Sequence, residues 1–161
     1  MIQAMQVPMM SFKGPDAPRG GAGNRPDSPG PSADRRPVIL LVEDEPLVRR
    51  TVARMLESEG FTVVGAEDGR AARDLLADSN LAPDLVVTDL RMPHLNGAEL
   101  GSAVGLLRPG VPVLYMSGFG NETKGWLAPE VINSCYLAKP FSREQLLDSV
   151  KRCLRQGGAP H

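Results

Sequence analysis

Acidic side chains end two short apolar runs that lie far apart in the chain. The run VILLV, residues 38–42, leads directly into Glu43, Asp44 and Glu45, and the later run LVVT leads into Asp89. Neighbouring carboxylates repel, since two unit charges about 4 Å apart cost roughly 4 kcal/mol at an effective dielectric constant of about 20. A bound cation would relieve this repulsion, and a fully solvated loop would avoid it. The positions of the acids in the predicted secondary structure distinguish between these two explanations.

A hydroxyl and an ammonium group end two further apolar runs. Ser117 follows VPVLYM, and Lys139 follows CYLA. Two or three carboxylates suit a hard cation such as Mg²⁺, which binds through one or two of them and keeps several waters. A lysine and a hydroxyl facing the acids suit an anion. A cation site, a lysine and a hydroxyl together are the groups that phosphoryl transfer needs, because its catalysis is mostly positioning and charge neutralisation.

From residue 38 onward, short apolar runs alternate with segments of helical periodicity. The runs interpreted as strands cover residues 38–43, 61–66, 83–90, 111–117 and 134–140. Five strands that alternate with helices predict an α/β fold with a doubly wound, five-stranded parallel sheet in the flavodoxin-like order 2-1-3-4-5. The segment FGNETKGWLAPE, residues 119–130, is a poor helix, and Trp126 within it is interpreted as a packing residue.

Ligands of such sheets bind beyond the carboxyl ends of the strands, at the switch between the first and third strands. Glu43 and Asp44 end the first strand, Asp89 the third, Ser117 the fourth and Lys139 the fifth. We therefore expect all five side chains at one rim of the sheet. This placement favours a bound cation as the reason for the crowded acids.

Local signals mark where the predicted helices begin and end. Pro46 stands at a tolerated first-turn position, Gly60 is a stop signal, and Ser142 is a predicted cap for the last helix. Gly101 and Gly105 weaken the third helix by up to about 1 kcal/mol each.

Composition divides the chain of 161 residues into one domain and two tails. Residues 13–37 are Pro, Gly, Ser and charged residues with almost no aliphatic residue, and residues 1–37 are predicted to be a disordered tail. Residues 38–156 form the predicted domain, and residues 157–161 are a short tail. The net charge of −1 indicates no attraction to nucleic acid or membrane, and no apolar stretch approaches the roughly 18 residues that span a bilayer. The chain is interpreted as soluble and cytoplasmic.

The two cysteines, Cys135 and Cys153, have no CxxC or zinc-site spacing and lie among apolar residues. In a reducing cytosol this arrangement predicts two free, buried thiols and no disulfide. His94, in the turn after the third strand, is interpreted as an exposed residue and not a metal ligand.

Four motifs at the strand ends resemble the receiver domain of bacterial two-component response regulators. They are LLVEDEP, VVTDLRMPHLNG, LYMSG and YLAKPF, and the resemblance covers residues 38 to about 155. It implies that Asp89 accepts a phosphoryl group. It also implies that Asp44, Asp89 and the backbone carbonyl of Arg91 bind Mg²⁺ directly, with Glu43 acting through a metal-bound water.

The same resemblance assigns roles to the remaining rim residues. Lys139 would pair with the phosphoryl oxygens, and the Lys139–Pro140 bond would be cis. Ser117 would hydrogen-bond a phosphoryl oxygen and move its loop, and Tyr136 would be the rotating aromatic of the switch.

The resemblance implies a signalling switch that is not an enzyme in the ordinary sense, with intrinsic Mg²⁺-dependent phosphotransfer and autodephosphorylation. The implied partner is a histidine kinase or a histidine phosphotransfer protein, with no direct nucleic-acid or membrane contact. The implied state is a monomer or a weak, phosphorylation-dependent dimer. Two other classes stay open: an interaction module that works without phosphorylation, and a phosphohydrolase with an aspartyl intermediate. The intact set of rim residues argues against the first, and Arg91, where a hydrolase would need an acid, argues against the second.

Overall fold

The computed structural model describes residues 35–118 and 135–157 of the chain. Five strands and four helices lie in these ranges. In chain order they are β1 (Val38–Val42), α1 (Pro46–Glu57), β2 (Thr62–Ala66), α2 (Gly69–Ala77), β3 (Leu85–Asp89), α3 (Gly97–Leu107), β4 (Val113–Ser117), β5 (Cys135–Ala138) and α4 (Arg143–Gly157). The predicted poor helix at residues 119–130, including Trp126, lies outside the described residues.

The five strands form one parallel sheet in the order β2-β1-β3-β4-β5, which confirms the predicted topology. The register places Val42 beside Thr88, Asp89 beside Met116, and Ser117 beside Ala138. The chain changes its winding direction between β1 and β3, so the carboxyl ends of these two neighbouring strands form the switch point.

Helices cover both faces of the sheet, so β1 and β3 are apolar without alternation. On one face, α1 and α4 pack over the sheet through buried side chains that include Val52, Leu56, Leu146 and Val150. On the other face, α2 and α3 contribute a second buried cluster that includes Ala72, Leu76, Leu100 and Val104. Within the described residues, no helix is long and apolar enough to cross a membrane.

The predicted helix signals are found where local chemistry requires them. Pro46 opens α1, and Gly60, just beyond its end, has a φ of +91°, a conformation that glycine adopts without steric cost. Ser142 and Gln145 form a reciprocal cap at the start of α4. The Ser142 Oγ accepts from the Gln145 N–H at 3.2 Å, and the Gln145 Oε1 accepts from the Ser142 N–H at 2.8 Å.

Two glycines of α3 are explained by close approaches to the sheet. A Cβ on Gly97 would lie 2.5 Å from the backbone oxygen of Asp89, and a Cβ on Gly101 would collide with the Tyr115 hydroxyl. Gly105 faces open space, where a Cβ would meet nothing within 4 Å. Glycine lowers the helix propensity at all three positions. At positions 97 and 101 it permits close packing against the sheet, whereas at position 105 it permits no such contact.

The prediction of two free thiols was wrong. Cys135 at the start of β5 and Cys153 on the inner stripe of α4 form a disulfide, with their Cα atoms 5.9 Å apart. Both residues are buried, as their apolar surroundings indicated. The pairing depends on where α4 crosses β5, and the spacing of 18 residues carries no signal of that crossing.

Candidate functional site

Three carboxylates converge at the switch point. Glu43 and Asp44 follow β1, Asp89 ends β3, and one carboxylate oxygen from each lies within 4.8 Å of the others. Glu43 is buried and Asp89 nearly so, whereas Asp44 is exposed. Parallel pairing of β1 with β3 brings these residues together, because neighbouring parallel strands end at the same edge. The cluster offers only oxygen ligands and is open on the Asp44 side, so it could hold a hard divalent cation that keeps water ligands.

Lys139 joins the carboxyl ends of β1 and β3 by two ion pairs. Its Nζ lies 2.9 Å from Glu43 Oε2 and 2.7 Å from Asp89 Oδ2. Burial lowers the pKa of Lys139, but the hydrogen bonds and charges of Asp89 and Glu43 outweigh burial, and the net pKa is raised. The ammonium is therefore charged at neutral pH and faces the site as a fixed cation.

Burial dominates the ionisation of Glu43. Desolvation raises its pKa, and the neighbouring charge of Asp89 acts in the same direction, whereas Lys139 and the Glu45 N–H lower it. The net pKa is raised, so Lys139 does not fully offset the cost of burying this carboxylate. A further cation at the site would stabilise the charged form of Glu43.

Backbone groups orient the side chain of Asp89. Its Oδ1 accepts a hydrogen bond from the Arg91 N–H at 2.9 Å, while Oδ2 faces Lys139. The Asp89 carbonyl accepts from Thr88 Oγ1 at 3.0 Å, and the Leu90 N–H donates to the Met116 carbonyl at 2.9 Å. The carboxylate is therefore held in one direction, toward the rim where Lys139 lies.

Of the remaining predicted residues, Ser117 lies at the same edge of the sheet, whereas Tyr136 lies within β5 and His94 in the turn after β3. Ser117 ends β4, is buried, and accepts the Lys139 N–H at its backbone oxygen over 2.7 Å. Tyr136 is half-buried on β5 and packs against the core cluster beneath α3. The Lys139–Pro140 bond is cis, as the resemblance implied. His94 is exposed, as predicted, and has a φ of 71°.

One site residue was missed from the sequence. Arg49, in the first turns of α1, donates from Nη1 to the backbone oxygen of Glu43 at 2.6 Å. No local pattern signals this contact, because it depends on where α1 packs against β2 near Gly65.

The sequence matches the family described as the response regulator receiver domain over residues 39–151. It is 38% identical over 133 residues to the alkaline phosphatase synthesis transcriptional regulatory protein SphR of Synechococcus elongatus, covering 78% of this chain and 52% of that protein. It is also 33% identical over 118 residues to the sensor kinase CckA of Brucella abortus, covering 73% of this chain and 12% of the kinase. With SphR, the chain spans about half the length of the relative it matches.

Solved structures give the same result. A response regulator receiver protein from Sinorhizobium medicae superposes with a TM-score of 0.68 at 29% identity, covering 76% of this chain and 97% of that one. A structure described as FixJ-N superposes with a TM-score of 0.68 at 26% identity, covering 78% and 99% of the two chains. The fold, the rim residues and these matches agree: the chain belongs to the family of response regulator receiver domains of two-component systems.

Proposed function

We propose that this receiver accepts a phosphoryl group on Asp89 from a histidine kinase or a histidine phosphotransfer protein, in a reaction that requires Mg²⁺. The observation that carries the proposal is the position of Lys139, whose ammonium lies 2.7 Å from Asp89 and 2.9 Å from Glu43. Such an ammonium is placed to neutralise charge on a phosphoryl group bonded to Asp89.

In the proposed reaction, a carboxylate oxygen of Asp89 forms a bond to phosphorus while the bond from phosphorus to the donor imidazole nitrogen breaks. The imidazole nitrogen keeps the electron pair of that bond. Lys139 then pairs with phosphoryl oxygens, and the Arg91 N–H keeps the Asp89 side chain directed toward the rim. Asp44, Asp89 and the Arg91 carbonyl would hold Mg²⁺, with Glu43 acting through a bound water. When bound, the ion supplies further neutralisation of phosphoryl charge.

A groove beside the acids supports a protein donor. It has a volume of about 510 Å³, and Lys139 forms part of its wall. Most of its lining is apolar and includes Leu47, Val48, Met55 and Phe141. Leu47 on this wall is 64% exposed, so the groove presents apolar surface to solvent. The phosphodonor is the occupant we propose, since Lys139 in the groove wall lies 2.7 Å from Asp89.

The consequence of phosphorylation would be a conformational switch. Ser117 would follow the phosphoryl group, and Tyr136 would turn into the space that Ser117 leaves. Ser117 ends β4 beside β5, and β5 carries Tyr136 and leads into Lys139, which supports this route from a local charge to a distant surface. Autodephosphorylation would return the protein to its resting state. We place the protein in the cytoplasm, as a monomer or a weak phosphorylation-dependent dimer without direct nucleic-acid contact.

Acetyl phosphate and intact-mass measurement test the proposal. With Mg²⁺, the wild type should gain one phosphoryl group, and Asp89→Asn should gain none. Chelation of Mg²⁺ should prevent labelling of the wild type. Equal labelling of the wild type and Asp89→Asn would show that another residue is the acceptor.

A further inference from the structure

Arg49 connects α1 to the turn that carries the acids. Its Nη1 donates to the backbone oxygen of Glu43 at 2.6 Å, and the Glu43 N–H donates to the Ala66 carbonyl at 3.2 Å. Both backbone polar groups of Glu43 are therefore held, one by β2 and one by Arg49. Glu43 is bonded directly to Asp44, so the direction of its carbonyl sets the start of the path that presents the Asp44 carboxylate.

The other side-chain contact within this turn is a long hydrogen bond, from the Glu45 N–H to Glu43 Oε1 at 3.3 Å. Glu45 is the N-cap residue, and its side chain makes no capping hydrogen bond. The three consecutive acids also repel one another, which favours an open turn. A guanidinium bonded to the Glu43 carbonyl opposes that opening by geometry and by charge.

The Arg49 side chain passes over β2 at Gly65, where the absence of a side chain leaves room for it. A Cβ on Gly65 would lie 3.6 Å from Arg49 Cδ and 4.0 Å from Cγ and Nε. The stem of Arg49 therefore fills the space above β2 that a larger residue at position 65 would occupy. Arg49 is half-buried, whereas the next residue on the helix, Arg50, is exposed.

We infer that Arg49 is a positioning residue for the cation site: it holds the turn after β1 so that Asp44 faces Asp89 before the cation binds. This inference rests on the proposed function and adds a residue to it. The direction in which Mg²⁺ affinity changes when Arg49 is replaced separates a positioning role from a purely electrostatic one. Removing a nearby positive charge should strengthen binding of a divalent cation, whereas removing a positioning group should weaken it.

The experiment compares Mg²⁺ affinity by calorimetry in the wild type, Arg49→Met and Arg49→Lys. Arg49→Met keeps an apolar stem over Gly65 and should bind Mg²⁺ about tenfold more weakly, the loss typical of removing a group that orients a metal ligand. Arg49→Lys keeps the charge and one possible donor, so it should recover part of the affinity. Arg50→Met, with the same charge loss at an exposed position, should bind Mg²⁺ at least as tightly as the wild type.

A second pair of variants tests the same contact while leaving Arg49 in place. Gly65→Ala adds a methyl group at ordinary contact distance and should leave Mg²⁺ affinity unchanged. Gly65→Val adds branches into the path of the Arg49 stem and should weaken affinity in the same way as Arg49→Met.

Acetyl phosphate labelling gives a reading that a general loss of stability would not produce. In Arg49→Met, the Mg²⁺ concentration for half-maximal labelling should rise about tenfold, while the maximal rate at saturating Mg²⁺ stays close to that of the wild type. Unchanged or tighter Mg²⁺ binding by Arg49→Met would overturn the inference and leave the proposed function intact. A wild type that neither binds Mg²⁺ nor becomes labelled would overturn both.

Discussion

The carboxyl ends of β1 and β3 bring acids to the same site but hold them differently. At the end of β3, Asp89 is nearly buried, its Oδ1 accepts the Arg91 N–H, and Gly97 packs directly against its backbone oxygen. At the end of β1, Asp44 is exposed, and Arg49 contacts the turn through a single hydrogen bond to a carbonyl. Packed backbone surrounds the proposed acceptor Asp89, whereas the turn that carries Asp44 is contacted by one long side chain and is otherwise open to solvent.

The difference predicts different costs for substitutions at the two ends. Near Asp89, a change should lower the free energy of unfolding, because packed backbone cannot move cheaply. Near Asp44, a change should lower cation affinity with little effect on folding, since an exposed turn can relax into water. Lys139 spans both ends and should show both kinds of effect.

The largest effect is expected for Gly97→Ala. Its Cβ would lie 2.5 Å from the Asp89 oxygen and 2.9 Å from the Leu90 Cα, so backbone must shift. We expect a loss of about 3 kcal/mol in the free energy of unfolding, measured by urea denaturation. Gly105→Ala is the matched control in the same helix, and it should gain up to about 1 kcal/mol because its Cβ meets nothing. Equal effects of the two variants would contradict the backbone contact at Gly97.

Lys139→Met should cost about 2 kcal/mol at neutral pH, because it leaves the buried Glu43 carboxylate without its ammonium partner. The folded-state pKa of Glu43 is raised, so its contribution to stability is present below the unfolded value of 4.5 and is lost as pH rises through the folded value. Removing Lys139 raises that pKa further, and the deficit of the variant should therefore grow from pH 4.5 to pH 7.

Urea denaturation of Lys139→Met and the wild type at several pH values measures this deficit. Lys151→Met is the control, since Lys151 pairs with Glu59 at 3.7 Å on the surface and should contribute less than about 0.5 kcal/mol. A deficit that stays constant across the pH range would show that Glu43 ionisation does not carry the effect.

Asp44→Ala should weaken Mg²⁺ binding by at least about tenfold, or roughly 1.4 kcal/mol, and by more than Glu43→Ala. Of these two acids, only Asp44 is proposed as a direct ligand, and its exposure leaves room for the water ligands that Mg²⁺ keeps. Calorimetric titration compares the two variants, with thermal melts to confirm that both are folded. The reverse ranking would exchange the inner and outer ligands.

The smallest effect at neutral pH is expected for Tyr115→Phe, at about 1 kcal/mol or less. Tyr115 lies beneath Gly101 of α3, and burial raises the pKa of its phenol above 10.0. Stability from this residue is present below pH 10.0 and is lost as pH rises toward the folded-state value. Tyr115→Phe should therefore lose less stability than the wild type between pH 9 and about 11, measured by urea denaturation. Parallel losses in both proteins would place the alkaline transition elsewhere.

Much of the fold is encoded in local patterns of the sequence. The apolar runs, the helical periods between them and the boundary residues Pro46, Gly60 and Ser142 act on neighbours within a few positions. The rule that parallel strands end at a common edge then predicts that Glu43, Asp44, Asp89 and Lys139 come together, and the structure brings them together. Their roles in phosphoryl transfer stay predictions until Asp89→Asn is tested.

Other features depend on how elements cross, and no local pattern encodes that. The sequence showed that Cys135 and Cys153 are apolar in setting, but only the crossing of α4 over β5 made them a disulfide. It showed that Gly101 weakens a helix, but only the packing of α3 against Tyr115 of the sheet explained why a glycine stands there. Arg49 reaches the Glu43 carbonyl because α1 lies across β2 at Gly65, a contact between segments that are adjacent only in the folded chain. The sequence alone places acids at the ends of strands. Tertiary packing alone decides that Arg49 contacts the turn that carries two of them.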